Sequence, residues 1–440
     1  MKVLLVKCHK KTLFSIFEPI VTEPLELEYL SGLLTKMDIH HRIFNSLMED
    51  STFEKVMEEY HPDVLVLTGY ITAVETMISF SQYAKSLDRN MKVIVGGVHA
   101  EINYEDFFVE TIDFIVHSDP IHTFEKLINN HFCKVEAESI QGIAFYDGKK
   151  WQVNSKSLTK LEDLPFPNRT YFKKYKHKTK YLQYSPIAII KTALSCPFQC
   201  NFCYCRLLNM GTYSNRTIRS VVEEIKTIDA EYIWIVDDTF LLDRERIVDF
   251  IHETKNHKLH KKFIAYSRVD FVAKNEDIIK KLAEIGFVEL IIGMEAIEDQ
   301  KLEMLNKQSS SDENIRAVEI LRKYGIRLTA LFIVGIDFTF TDFRRLRKWI
   351  RTIGLCCYAV SIFTPLKGTD LYKAYKDKII NNKYASYDFL HLTIKPTKIP
   401  AVIFCFLFYL LYVEQFFRSS YIRGAMMKTL RSIFVTGGKP

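Results

Sequence analysis

Apolar and polar positions alternate along the first 130 residues in a repeating two-part pattern, a short apolar run followed by a longer amphipathic stretch. Val3–Val6 precedes Leu25–Met37, His41–Asn45 precedes Phe53–Glu59, and Val64–Thr68 precedes Ala73–Ser86. Val93–Val95 then precedes a segment near 103–108, and Phe114–Val116 precedes Thr123–Asn130. Short apolar runs bounded by turn residues read as buried strands and the amphipathic stretches as helices. Strict alternation of the two predicts a parallel sheet covered on both faces. A second series of strands is predicted at Ile187–Thr192, Tyr232–Val236, Phe263–Ser267, Leu290–Met294, Leu328–Val334 and Ala359–Phe363. Helical segments such as Ser220–Asp229, Ile278–Ile285 and Glu313–Tyr324 separate them, so six βα units predict a partial barrel open on one side.

Between the two series the period breaks into short β-like pieces with turns, QGIAFYDGKKWQVN, and a Pro-interrupted connector, LEDLPFPNRTYF. At 440 residues the chain needs at least two cores, and this break is the expected boundary. No internal repeat is seen. Past the second series, 399–413 (IPAVIFCFLFYLLYV) carries no charge, yet its fifteen residues fall short of the roughly 20 that span a bilayer. A buried helix and a helix lying in a membrane interface both remain open for it.

The net charge of +7 changes little, because Lys and Arg are interspersed with Asp and Glu, and nucleic acid is not indicated. Only the C-terminal part is unbalanced. Lys395, Lys398, Arg418, Arg423, Lys428, Arg431 and Lys439 face the single acid Glu414, which suits an anionic surface or substrate, or a merely solvated basic tail. The nine cysteines are odd in number and no secretory leader is read at MKVLLVKCHK. A reducing cytoplasmic setting is therefore expected, in which thiols serve metals, catalysis or packing.

In parallel sheets ligands sit at the carboxyl ends of strands. In the first series those ends carry Thr68, Gly69 and Tyr70, then Gly96, Gly97 and His99, then Ser118 and Asp119. Gly96 and Gly97 either let backbone approach a ligand or simply make a tight turn into a helix. In the second series Cys196, Cys200 and Cys203 stand in SCPFQCNFCYC just after the first strand. Three close thiolates can hold a 4Fe-4S cluster with one iron left open for a substrate. A zinc site would want a fourth ligand such as Cys205, and chance packing of thiols is the remaining alternative.

CPFQCNFC, with Phe202 before the third cysteine, resembles the CxxxCxΦC signature of the radical SAM superfamily. That resemblance implies a cluster whose open iron chelates S-adenosylmethionine and cleaves it to a 5′-deoxyadenosyl radical. DDTF (237–240), SRVD (267–270), GMEA (293–296) and TPLKGTDLY (364–372) resemble further family segments in the same order. They imply Asp238 and Arg268 at the methionine moiety and Glu295 at the ribose. The VGGVHA turn, the QGIAFYDG hairpin, the LEDLPFPNR connector and YDFLHLTIKP near Tyr387 resemble the cobalamin-binding subfamily, over nearly the whole chain.

The resemblance therefore implies an α/β architecture: a Rossmann-like (flavodoxin-like) cobalamin-binding domain over 1–139 and a hairpin and connector over 140–181. A radical SAM partial (β/α)6 barrel over 182–385 and a C-terminal helical, apolar and basic extension over 386–440 complete it. It implies a 4Fe-4S cluster, S-adenosylmethionine and cobalamin as cofactors, with a reductant such as flavodoxin or ferredoxin. Departures stand beside it. The DxHxxG motif of an axial histidine is absent, HSDP (117–120) replaces GEGE, and GIDFTF (335–340) replaces GxPxET. His99 could meet the corrin or serve as a hydrogen-bonded turn residue. Cys205, Cys356 and Cys357 could act near a substrate or pack.

The expected activity is methylation of an unactivated carbon or phosphorus of a small molecule, with a lipid or isoprenoid-like acceptor favoured by the C-terminus and peripheral membrane contact through it. A cobalamin-dependent cyclase, oxidase or carbon-carbon coupling enzyme is the alternative within enzymes. A cluster or cobalamin sensor without turnover is the alternative outside them, and it needs no open iron.

Overall fold

The computed structural model describes residues 1–10, 18–130, 132 and 134–435, and at 134–135, 163 and 428–435 the backbone alone. In chain order the strands are β1 (Lys2–Lys7), β2 (Ile20–Val21), β3 (His40–Asn45), β4 (Val64–Thr68), β5 (Lys92–Gly96), β6 (Phe114–Val116), β7 (Ile143–Tyr146) and β8 (Trp151–Val153). There follow β9 (Lys180–Tyr181), β10 (Ile187–Ile190), β11 (Ala193–Leu194), β12 (Ser214–Asn215), β13 (Tyr232–Ile235), β14 (Lys262–Arg268), β15 (Phe287–Glu295), β16 (Arg327–Val334) and β17 (Tyr358–Ile362).

The first sheet has the order β3-β1-β4-β5-β6-β7-β8. Its first five strands are parallel, and the order reverses between β1 and β4, where an open α/β sheet leaves a ligand crevice at the strand ends. Alternate residues of β1 serve opposite faces. Val3 and Leu5 pack with Leu25, Leu33 and Phe124 of the helices Leu25–Lys36 and Pro120–Asn129, whereas Leu4 and Val6 pack with Phe53, Val74 and Met77 of the helices Phe53–Tyr60 and Val74–Leu87. The QGIAFYDG segment does more than connect, because β7 pairs antiparallel with β6 and β8 with β7, extending this sheet. The helix expected near 103–108 begins earlier, at Val98–Asn103, and continues as a 3-10 turn over Tyr104–Phe107.

The second sheet runs β10-β13-β14-β15-β16-β17 in strict sequence, all parallel, as an open partial barrel. Its inner wall is not a separate core. One apolar cluster runs from Val3 and Leu5 of the first sheet to Ile189, Trp234, Ile264 and Ile291 of the barrel.

The two sheets are tied by charge as well. Arg169, in the connector, donates from Nη1 to Glu23 Oε1 at 2.8 Å and from Nη2 to Glu224 Oε1 at 2.7 Å and to the carbonyl of Ile189 in β10 at 2.9 Å. Glu23 also accepts from the Ile189 amide at 2.8 Å, Glu28 accepts from the Phe172 amide at 2.9 Å, and Arg216 closes the group on Glu224. Glu23, Glu28 and Glu224 are at most 1 % exposed, so none can turn to water. Burial pushes the Glu23 and Glu28 carboxyls above the ordinary glutamate range, against the pull of Arg169.

The C-terminal apolar run forms the helix Ala401–Arg418, longer at its end than the uncharged segment alone predicts. It passes, by length and composition only, as a helix able to cross a membrane, yet one face of it is committed to the barrel. Phe404, Phe408, Leu411 and Gln415 are buried. Gln415 Nε2 donates to the carbonyl of Tyr358 at 2.7 Å, and the Tyr412 hydroxyl accepts from the Val360 amide at 3.0 Å and donates to its carbonyl at 2.5 Å. These side chains cover the free edge of β17, whose backbone groups would otherwise lack partners.

Removing the central guanidinium leaves buried carboxylates unpaired, a loss of about 3–5 kcal/mol. Arg169→Ala is expected to lower the denaturation midpoint strongly at pH 8 and distinctly less at pH 5.5, where the raised carboxyls take up protons. An equal loss at both pH values in denaturant titrations would show that packing, and not charge, carries the tie.

Candidate functional site

The carboxyl ends of the two sheets face each other. Asn103 donates to the Lys367 carbonyl at 3.1 Å, Lys367 pairs with Asp106, and Glu101 accepts from the Asn209 amide, so the helix after β5 grips loops of the barrel. Asn209 in turn bonds both backbone groups of Thr159 in the connector, at 2.8 and 3.1 Å.

The cysteine loop is cinched at its base. β11 pairs antiparallel with β12, and the buried Asp237 accepts from the amides of Thr192 and Ala193 at 2.6 and 2.9 Å and from the Thr192 hydroxyl. Asn201 and Asn306 stitch the loop to 304–306: the Asn201 side chain donates to Met304 O at 2.8 Å and that of Asn306 to Gln199 O at 2.7 Å. Of the DDTF pair, then, Asp237 holds the loop. Asp238 is the one aimed inward, with a buried Oδ2 that makes no hydrogen bond and stands 3.5 Å from Lys191 Nζ.

Burial pushes the Cys196 thiol up to about 11 and raises Cys200 as well, the latter against the pull of Lys307 and Arg268. Cys203 lies below its ordinary range because Cys205 hydrogen-bonds to it. Arg268, at the end of β14, has Nη1 3.9 Å from Cys200 Sγ, stacks at 3.7 Å on Phe198, and is pinned by Asp270 at 3.0 Å and the Lys307 carbonyl at 2.6 Å. Two cations thus stand behind three thiols that need to lose protons to bind metal. Among the described residues no group of three or more His, Cys, Asp or Glu is tight enough for one ion. With Cys205 hydrogen-bonded to Cys203, three thiols remain, the number that holds a 4Fe-4S cluster with one iron open and one short of a structural zinc site's four. Phe202 is half-buried within the same loop.

Glu295 ends β15 in the left-handed region, φ 58°, and accepts from Lys307 Nζ at 2.8 Å. This ion pair explains the glycine of GMEA, since a Cβ on Gly293 would meet Glu295 Oε1 at 2.2 Å.

Thr68, Gly69, Tyr70, Gly96, Gly97, His99, Ser118 and Asp119 come together at the ends of β4, β5 and β6. The packing inside the protein accounts for several of them. Gly97, φ 102°, starts the helix Val98–Asn103, and a Cβ there would meet Thr68 Oγ1 at 2.5 Å; one on Gly69 would meet Ala73 Cβ at 2.8 Å. A Cβ on Gly96 would meet nothing closer than Val116, at 3.8 Å. His99 is buried and bonded to Asp106 Oδ2 at 2.8 Å, which is the turn role and not an exposed face toward a corrin. Ser118 Oγ accepts from the Ser157 amide at 3.0 Å, and Asp119 pairs with His122 at 3.0 Å. Tyr70, 55 % exposed, lies over Lys7 and is felt electrostatically by Lys191, Tyr204 and Tyr266 across the gap.

The motifs single out none of Lys191, Tyr204, Tyr266 and Lys307. Lys191 follows β10 directly, so the strand-end rule alone points to it; Lys307 sits between Asn306 and Gln308, both with positive φ, in a loop without a signature. Cys205 is at the site, whereas Cys356 and Cys357 lie at the amino end of β17, the latter bonded to Thr329 at 3.0 Å. The eight described cysteines are free thiols, and Cys133 lies outside the described residues.

Comparison with known proteins finds matches for both halves of the chain. The radical SAM superfamily model matches residues 190–350 and the B12 binding domain model residues 20–128. An uncharacterized methyltransferase of Pyrococcus horikoshii is 26 % identical, with 85 % of this chain and 83 % of that one covered. Hopanoid C-3 methylase of Methylococcus capsulatus is 23 % identical (86 % and 73 % covered), and anaerobic magnesium-protoporphyrin IX monomethyl ester cyclase of Rubrivivax gelatinosus 25 % (85 % and 70 %). In fold the chain resembles the cobalamin-dependent S-adenosylmethionine radical enzyme OxsB, TM-score 0.71 at 14 % identity (94 % and 67 % covered). The methyltransferase TsrM of Kitasatospora setae gives 0.68 at 15 % (87 % and 76 %).

A three-thiolate cluster site and a four-thiolate zinc site separate by mutation. On the first, Cys196→Ala, Cys200→Ala and Cys203→Ala each lose iron and sulfide after anaerobic reconstitution while Cys205→Ser keeps both. Elemental analysis showing zinc, lost equally in all four variants, would reverse the assignment.

Proposed function

Because the chain belongs to the cobalamin-binding radical SAM enzymes, we propose that it methylates an unactivated carbon, or phosphorus, of a small-molecule acceptor held between its two sets of strand ends. The observation that carries this reading is the contact between the helix after β5 and the barrel loops, which brings the β4–β6 ends to the cysteine loop and Tyr70 near Tyr204, Lys191 and Tyr266. The cofactors supply the 5′-deoxyadenosyl radical and the carried methyl group.

The chain's own residues have narrower tasks. Cys196, Cys200 and Cys203 hold the cluster, and Arg268 and Lys307 offset the charge of their thiolates. Asp238, with an acceptor oxygen lacking a hydrogen bond, and Glu295 take the polar groups of S-adenosylmethionine, while Phe202 supplies an apolar wall beside it. Thr68, Gly69, Tyr70, Gly96, Gly97, His99, Ser118 and Asp119 border cobalamin, Gly97 and His99 by shaping the turn. Tyr204 and Tyr266, both half-buried, wall the site against water, and desolvation raises both phenols so that they stay protonated. A flavodoxin or ferredoxin supplies the electron in a cytoplasmic setting. The acceptor is lipid or isoprenoid-like, a choice supported by the apolar, basic C-terminal helices.

A second reading, ring closure or carbon-carbon coupling without methyl transfer, is favoured by the similarity to the cyclase of Rubrivivax gelatinosus. Each methyl transferred consumes one S-adenosylmethionine as methyl donor and another as radical source. The enzyme reconstituted anaerobically with iron, sulfide and cobalamin, and given S-adenosylmethionine and a low-potential reductant, is therefore expected to give S-adenosylhomocysteine and 5′-deoxyadenosine together, by mass spectrometry, and neither in Cys200→Ala. Deoxyadenosine alone would favour the second reading, and neither product in the parent enzyme would sink both.

A further inference from the structure

We propose that the outer face of the helix Ala401–Arg418 is a docking surface for a lipid bilayer with anionic headgroups, the helix lying in the interface and not crossing it. Val402, Phe406, Tyr409, Val413 and Phe417 recur at helical spacing on the side opposite Phe404, Phe408, Leu411 and Gln415. They are 82, 65, 43, 49 and 70 % exposed, and Met426 and Met427 of the next helix, Ser420–Val435, add to the exposed apolar residues beside them. The Tyr409 hydroxyl donates to the Leu390 carbonyl at 2.9 Å, bringing the half-exposed Leu390 to the same patch. A soluble surface has no use for five large apolar side chains in one row.

Charge decides between occupants. From Lys395 to the end of the sequence Glu414 is the single acid, and Arg347 and Arg351 already neutralise it. Lys395 and Lys398 precede the helix and Arg418 closes it, and none of the three has an ion-pair partner among the described residues. Arg423 spends its guanidinium on the Phe416 and Phe417 carbonyls and forms no ion pair among the described residues. An apolar row between two cationic ends matches acyl chains flanked by phosphates. A second copy packed antiparallel on this face would set lysines against arginines without an acid to answer them. Crossing the bilayer would strip Tyr412 and Gln415 from the edge of β17 and expose Phe404 and Phe408, both fully buried.

The test is sedimentation of the full, cofactor-loaded chain with phosphatidylcholine vesicles, with and without about 30 % phosphatidylglycerol, across a salt series. Binding to the anionic vesicles that weakens with salt is expected, together with at least a tenfold loss in Phe406→Ser/Phe417→Ser and in Lys395→Glu/Lys398→Glu. Both variants should keep the parent's iron and cobalamin content, which guards against misfolding. Indifference of the parent to anionic vesicles overturns the proposal, as does undiminished binding by both variants. So does a parent that is dimeric by light scattering and is split by the phenylalanine substitutions without any vesicle binding.

Discussion

A single buried guanidinium sets the geometry on which everything else in this fold depends. Arg169 holds carboxylates from the start of the first sheet's leading helix and from the first helix of the barrel, and it bonds the backbone of β10 itself. An ion group with no route to water becomes costly as soon as a charge loses its counter-charge. That makes the arrangement intolerant of sliding: if the sheets shifted by one residue, Glu23 would lose both Arg169 and the Ile189 amide. The continuous apolar cluster supplies the adhesion between the halves, and the charges supply the register.

With the halves fixed, the site is assembled from loops that are individually restrained. The β11–β12 ladder, Asp237 and the Asn201 and Asn306 bonds hold the cysteine loop to the barrel, while Glu101 and Lys367 reach across from opposite sides of the gap. Radical chemistry asks for this arrangement, since a misplaced wall admits water or a stray hydrogen donor. The polar atoms left without hydrogen bonds inside it, above all Asp238 Oδ2, are where an incoming ligand gains most.

Much of this was legible in the sequence because the fold is built from local signals. Parallel strands read as short apolar runs, and all six barrel strands and five of the first sheet lie where periodicity placed them. The cysteine spacing carried the chemistry. Three features escaped: that QGIAFYDG completes the first sheet rather than leaving it, that Lys307 reaches Glu295, and that Arg169 is the tie between halves. The first and last depend on partners far along the chain, which no local window contains, and Lys307, though near Glu295 in sequence, sits in a loop with no signature to mark it. At Gly97 and His99 the sequence left a ligand face and a turn both open, and the packing against Thr68 and Asp106 shows the turn contacts that each residue makes.

On this reading a cluster and a cobalamin sit on facing strand ends of the two sheets. That placement is met most directly by electron paramagnetic resonance on enzyme carrying both, with cob(II)alamin observed before and after reduction of the cluster. The account predicts that the reduced, paramagnetic cluster speeds relaxation of the cob(II)alamin spin, and that Cys200→Ala abolishes the effect while still binding cobalamin. Relaxation unchanged by reduction of a fully loaded cluster would place the two cofactors apart and contradict it.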